Sequence, residues 1–308
     1  MKVHEPVLLN ETVDSVVMNK GGIYIDGTIG FAGHASKIIS KLNNKGRLIG
    51  IDLDPYALKC SEDKLSKFPK KSYSLYNGNF SDFPNIIQKL GISKIDGLVI
   101  DLGISSYQID SEHRGFAYKY NSPLDMRFNP NQGISAQEFL NSTDQLILSE
   151  IIKNLGEEKQ YKKIAKNIVK YSKLLKMNTT YDLKNAIEEV LNKNFLNKTL
   201  SRVFQAIRMK VNNEIEHLNK FLNNSLKYVR KGGRIVIITF HSIEDKIVKN
   251  FFNKNAIQCI CPSIFPVCIC NNKAKLKLIN KKGICPSSLE IKNNNRSRSA
   301  RLRIAECL

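Results

Sequence analysis

The sequence contains no apolar run approaching the roughly 18 residues that a membrane-spanning helix requires, which excludes that class of protein. It also lacks the apolar segment of a secretory leader. "MKVHEPVLLNE" sets charges where that segment would lie, so a cytoplasmic protein is expected. Acidic residues are scarce: 28 stand against 48 Lys and Arg, a formal net charge of +20. A Lys-rich surface from compositional bias would give the same count, but such an excess also attracts phosphate backbones at long range, which favours a nucleic-acid partner. There is no internal repeat, so the 308 residues must build one large domain or a domain with a sizeable insertion. The seven cysteines are an odd number, which in a cytoplasmic protein argues against a disulfide framework.

What is present is an alternation. "IYID" (23–26) precedes "HASKIISKL", "RLIGID" (47–52) precedes "PYALKCSEDKLSKF", "YSLY" (73–76) precedes "SDFPNIIQKL", and "IDGLVIDLG" (95–103) closes the series. Short β-rich runs separated by helices of about ten residues predict βαβ units and a parallel sheet. Pro55 marks a helix start, and Ser81 beside Asp82 reads as the cap of the next helix. The alternation stops at 104–133, which carries turn signals at Gly115, Pro123 and Pro130 and no long period, so it is either functional or the entry to an insertion. Helical periodicity fills 135–228, with Ile164 and Ile168 on one face and Val203, Ile207, Val211, Leu218 and Leu222 on another. Strand character returns at "GGRIVIITF" (232–240) and again at "RLRIAE" (301–306), while "NNNRSRS" (293–299) reads as an exposed arm. The expectation is an α/β domain, 1–106 and 209–308, interrupted by a helical insertion at 107–208.

The stretch "GIYIDGTIGFAGHASKI" sets Gly27, Gly30 and Gly33 between an apolar run and a helix, as in loops that approach a nucleotide. A Walker loop needs Lys and Ser or Thr after its last glycine, but His34 and Ala35 stand there. A dinucleotide fingerprint starting at Gly27 needs glycines where Ile29 and Ala32 occur. S-adenosylmethionine carries a ribose and no phosphate. It asks for less of the loop and still wants an acid at the end of the second strand, where Asp52 lies roughly 20 residues on. Phe80 after the third strand and Asp101 at the end of the fourth converge on the same crevice, although core packing and a turn acid explain each one singly.

These segments, with "HEPVLLNETV", "ISSYQID", "RGFAY", "SPLDMRF", "RVFQAIRMKVNNE", "TFHSIEDKIVKNFF" and "RSRSARLRIAE", resemble in order the family of ribosomal RNA small subunit methyltransferase H, over nearly the whole chain. The resemblance implies a Rossmann-like S-adenosylmethionine-dependent methyltransferase fold with an inserted α-helical, RNA-recognising domain. It further implies methyl transfer to N4 of a cytidine in the decoding region of small-subunit ribosomal RNA, free or within the small subunit or a late precursor of it. Carried over by motif, Ala32, Gly33, His34, Asp52, Phe80, Asp101 and Gln108 would hold the cofactor, and Asp101 would also be catalytic. The family reads Gly-Gly-His where this chain reads Ala32-Gly33-His34, a change tolerated if residue 32 has negative φ. The alternative function is a ribosome-assembly factor that binds cofactor and RNA without turnover.

Other candidates are weaker. Arg114, Arg127, Arg202 and Arg208 are offered for phosphate contacts, with intramolecular pairing as the competing explanation. His241 is left out of the catalytic set. "CICPSIFPVCIC" (259–270) places Cys259, Cys261, Cys268 and Cys270 as two C-x-C pairs, and the one-residue gap within each pair is poor for chelation, so no metal is assigned.

Overall fold

The computed structural model describes residues 6–191, 196–259, 261 and 269–308. The chain divides into two compact units, Met1–Gly103 with Glu216–Leu308, and Ile104–Ile215.

The first unit is built on a seven-stranded sheet: β1 (Ile23–Asp26), β2 (Arg47–Asp52), β3 (Tyr73–Asn77), β4 (Ile95–Asp101), β5 (Val229–Thr239), β6 (Leu276–Leu278) and β7 (Arg301–Cys307). Their order is β3-β2-β1-β4-β5-β7-β6. The first five run parallel, and β7 enters antiparallel between β5 and β6. This is the parallel sheet expected from the alternation and the Rossmann-like arrangement that the resemblance implies, with one reversed strand added. A parallel sheet covered on both faces needs strands apolar on both sides, which is why "IDGLVID" buries six consecutive residues. Neighbouring residues serve opposite cores: Ile25, Ile49, Leu98 and Ile237 pack on one face, while Tyr24, Leu48, Val99 and Val236 pack on the other.

Helices α1 (Leu9–Val16), α2 (Gly33–Lys41), α3 (Pro55–Leu65) and α4 (Phe83–Lys89) belong to this unit. Pro55 opens α3 as expected, and Asp54 caps it by accepting from the Tyr56 amide at 3.0 Å. The expected cap of α4 is corrected. Phe80–Asp82 forms a 3-10 turn capped by Asn79, and the Ser81 hydroxyl is 3.0 Å from Nδ1 of His217.

The second unit contains α5 (Ser106–Asp110), α6 (Ala136–Ser142), α7 (Gln145–Gly156), α8 (Tyr161–Leu175), α9 (Thr180–Glu188) and α10 (Leu196–Val211). Ser105, Ser135 and Thr179 each open a helix with a reciprocal capping box. The aperiodic stretch 104–133 gives this unit part of its core, since Phe116, Leu124 and Met126 are buried with Ile152, Ile164, Ile168 and Ile207. Met126 adopts φ 61° and is held on both sides. Its amide donates to the Arg114 carbonyl at 3.0 Å, and its carbonyl accepts from Nδ2 of Asn212 at 2.7 Å.

The expected continuous face over 199–228 is broken. Asn213 turns to φ 47°, and α11 (Glu214–Tyr228) starts afresh and places Leu218, Phe221 and Leu222 in the sheet core. Then follow α12 (Ser242–Ala256) and α13 (Ser288–Asn293). The stretch 293–299 is largely exposed, as expected, and is ordered by a capped 3-10 turn, Asn295–Ser299, in which Ser297 alone is fully buried. No helix among the described residues is long and apolar enough to cross a membrane.

Candidate cofactor-binding site

Parallel pairing sets Asp26 opposite Gly50 of β2 and Val99 of β4, so the carboxyl ends of these strands form one edge carrying Asp26, Asp52 and Asp101. The loop after β1 is stitched to its neighbours. The Gly27 amide donates to the Val99 carbonyl at 2.8 Å, and Ile29 donates to Ile51 at 3.0 Å. Gly30 donates to Oδ2 of Asp52 at 2.8 Å, and the Asp101 amide donates to Oγ1 of Thr28 at 2.6 Å. A Cβ on Gly27 would stand 2.8 Å from Cγ2 of Ile100 and 2.9 Å from Cβ of Phe80, so the loop can lie this close to both only with glycine there. Phe80 is thereby placed beside the loop, its ring edge-on to Phe221 at 5.5 Å.

The turn into α2 departs from expectation. Ala32 has φ 52° and ψ 38°, so the condition of negative φ fails and the residue sits in the left-handed region. Its side chain is fully buried, packed in the core with Ala35, Ile38 and Ile29. Gly33 is pressed against Pro6, whose Cγ would lie 2.1 Å from an added Cβ. Nε2 of His34 lies 3.0 Å from the Val7 carbonyl, which can only accept, so that nitrogen carries the proton. Gly33 and His34 therefore meet Pro6 and Val7 of the N-terminal segment.

Three carboxyls at this edge hold their protons unusually well. Burial pushes Asp26 up to about 7, helped by the charge of Asp52 and opposed by the Thr28 amide. Asp52 rises to about 6, again chiefly by burial, although the amides of Asp54 and Gly30 favour its ionised form. Asp101 is raised well above the ordinary aspartate range by burial, then by Asp26 and by Glu244. Its Oδ1 is buried and has no hydrogen-bond partner among the described residues. A buried acceptor with nothing to accept from is costly to keep, and such groups mark functional sites. It is also where a positively charged ligand or a proton donor would be welcome.

His241 belongs to helix architecture. It is the N-cap of α12, with Nδ1 accepting from the Glu244 amide at 3.4 Å, while Oε2 of Glu244 accepts from the Phe240 amide at 3.0 Å. Gln108 lies in the second unit, buried, with Oε1 accepting from the Ser105 amide at 3.0 Å.

The four arginines offered for phosphate contacts are engaged within the second unit. Arg127 grips Asp125 through two bonds of 2.8 and 2.7 Å, and Arg208 grips Glu214 at 2.8 and 3.0 Å. Arg114 donates to the carbonyls of Arg127 and Phe128, and Arg202 lies 3.4 Å from Glu158. Acids two residues before Arg127 and six after Arg208 were the local signal for pairing. Sequence reading missed a different feature: Lys162, Lys163, Lys166, Lys170 and Lys173 are all exposed on α8. At helical spacing they cover an arc of about 100° opposite the buried Ile164, Ala165 and Ile168.

The edge fits a nucleoside bearing a positive charge. Asp52 keeps spare lone pairs for ribose hydroxyls, and Asp26 and Asp101 offer carboxyl groups. Space is open beside the loop, since a Cβ on Gly78 would meet nothing within 4 Å and one on Gly30 nothing nearer than 3.8 Å.

The chain matches the MraW methylase family over residues 1–308. It is similar to ribosomal RNA small subunit methyltransferase H of Clostridium botulinum (strain Kyoto / Type A2), 43% identical over 303 residues, 98% of this chain and 97% of that protein. The protein of the same name from Fusobacterium nucleatum is 42% identical over 303 residues, 98% of this chain and 96% of that one. That of Halothermothrix orenii is 41% identical over 309 residues, covering 99% of each. The match extends over the glycine loop, the sheet and the insertion alike, and the chain belongs to the MraW methylase family.

Proposed function

We propose that the protein transfers a methyl group from S-adenosylmethionine to N4 of a cytidine in the decoding region of small-subunit ribosomal RNA. The reaction takes place in the cytoplasm, on the small subunit or a late precursor of it. The observation that carries this reading is Asp101, on the strand edge beside the glycine loop, whose buried Oδ1 has no hydrogen-bond partner among the described residues.

Bound cofactor would supply an electrophilic methyl group on a sulfonium; the chemistry left to the protein is positioning and proton handling. Asp52 would take the ribose hydroxyls, the backbone of the loop through Gly33 the methionyl end, and Phe80 one side of the adenine. The lone pair on cytidine N4 is delocalised into the ring, so attack needs an acceptor that draws off an amino hydrogen and localises the pair. Asp101 suits that role because burial, with the charges of Asp26 and Glu244, raises its affinity for a proton. The base must leave any stack to reach the crevice, which calls for an unpaired or extruded nucleotide. The second unit would meet the phosphate backbone through the lysine face of α8, in keeping with the net charge of +20.

The test is incubation with radiolabelled S-adenosylmethionine and small subunits lacking the modification, followed by nucleoside mapping. Label in N4-methylated cytidine is the expected outcome. Cofactor binding with no label in cytidine overturns the catalytic reading and leaves an assembly factor without turnover.

A further inference from the structure

The chain leaving α12 and the chain entering β6 run side by side, and cysteines come together where they meet. The Asn255 carbonyl accepts from the Lys275 amide at 2.8 Å, and the Ile257 carbonyl accepts from Nδ2 of Asn272 at 2.7 Å. Just beyond this neck, the sulfurs of Cys259, Cys261 and Cys270 all lie within 4.8 Å of one another. Sγ of Cys270 is 3.8 Å from Sγ of Cys259, and the Ile269 amide donates to Sγ of Cys261 at 3.4 Å.

That sulfur separation is nearly twice a disulfide bond of about 2.05 Å. It equals the edge of a tetrahedron whose centre lies about 2.3 Å from each corner, the zinc–thiolate distance; such an edge is about 3.8 Å. An amide donating to sulfur is the interaction that supports a thiolate ligand from its outer side. The objection from sequence was that one residue between cysteines is a poor chelating gap. The fold answers it by drawing thiols from both sides of a loop, with hydrogen bonds at the neck that hold the two sides together. Cys268, the remaining cysteine of the two pairs, lies outside the described residues.

We propose that Cys259, Cys261 and Cys270 bind a zinc ion that clamps the base of the loop between α12 and β6, apart from the candidate cofactor site. A ligand set made only of thiolates is soft and selects zinc over magnesium or calcium. The role is structural: the ion would reinforce a connection whose two ends are joined, among the described residues, by the hydrogen bonds of the neck.

The experiment uses the full chain, purified reduced and without chelator. Elemental analysis should find about one zinc per chain. After stripping, titration with cobalt should give the sulfur-to-metal charge-transfer and visible bands of tetrahedral thiolate coordination, saturating near one equivalent. Cys259→Ser and Cys261→Ser should each lower zinc affinity about a hundredfold or more, while Cys60→Ser and Cys285→Ser leave it unchanged. Circular dichroism of every variant separates loss of ligand from loss of fold. A reduced, folded wild-type chain that takes up neither zinc nor cobalt overturns the proposal, as does a mass two units low showing that these thiols are oxidised to a disulfide.

Discussion

The Gly30 amide and Oδ2 of Asp52 are joined by a hydrogen bond of 2.8 Å, and Oδ1 of the same carboxylate accepts from the Asp54 amide at 2.9 Å. One side chain thus fixes the glycine loop and the turn before α3 while keeping lone pairs for a ribose. Asp52→Asn turns an acceptor into a donor facing amides that also donate. Affinity for S-adenosylhomocysteine by calorimetry should fall about 10- to 100-fold, the loss of one or two charge-assisted hydrogen bonds. Unchanged affinity would place the ribose elsewhere.

Asp101→Asn keeps the shape of the side chain and removes its capacity to take a proton. The turnover number on small subunits should fall by about two to four orders of magnitude, with cofactor affinity changed far less. A variant within tenfold of wild type would assign proton removal to another group.

The raised carboxyls make the cofactor-free protein sensitive to pH. Folded Asp26 keeps its proton up to about 7, whereas an unfolded aspartate loses it near 3.9. The stability gained by keeping Asp26 neutral is complete below about pH 4 and is lost as pH rises through about 7. The melting temperature should therefore fall between pH 5 and 8, with Asp52 contributing in the same direction through about 6. Asp26→Asn should flatten that fall and raise the melting temperature at pH 7.5. A slope identical to wild type would show that Asp26 ionises normally.

Ala32 combines a left-handed backbone with a buried methyl group. The conformation costs about 1–2 kcal/mol for a residue with a Cβ, and burying the methyl returns about 0.8 kcal/mol. Ala32→Gly should thus change stability by no more than about 1 kcal/mol in denaturant unfolding. Ala32→Val adds bulk to a filled core and a branched Cβ to a left-handed site, and should cost about 2 kcal/mol or more. A tolerated valine would contradict the backbone geometry at this turn.

Two sets of basic residues should separate in RNA binding. Replacing Lys162, Lys166, Lys170 and Lys173 with Ala should weaken binding to small-subunit RNA without altering the fold. It should also reduce the slope of log affinity against log salt by up to about 0.7 for each phosphate that a lysine no longer neutralises. Arg208→Ala should instead destabilise the chain by about 3–5 kcal/mol, because it removes the guanidinium that faces the mostly buried Glu214 carboxylate. An unchanged salt slope in the lysine variant would move the RNA-binding face off α8.

The sheet was legible because parallel strands buried on both faces must read as apolar runs, and 23–26, 47–52, 95–101 and 232–240 do. β6 was missed because three residues carry no period and need β7 to exist. The core role of 104–133 was hidden because Phe116, Leu124 and Met126 stand singly among turns, buried by tertiary packing and not by any local repeat. At the edge, Asp52 was readable from its distance to the glycines. The orphaned oxygen of Asp101 was not, since being unpartnered depends on what every neighbouring element leaves undone. The glycine that the resemblance implies at position 32 was a sign of positive φ, but sequence does not say which way an alanine there will turn.

The central pair of the sheet has a consequence in time. β4 and β5 are hydrogen-bonded neighbours, yet the whole of the second unit intervenes between Asp101 and Val229. Contacts close in sequence form early, and closing so long a loop comes late. Until it closes, β4 offers an unpaired backbone edge along a strand with six buried residues, the kind of surface on which half-finished chains stick to each other. The apolarity that suits β4 to the middle of the sheet makes it the stretch of the nascent protein most in need of shelter.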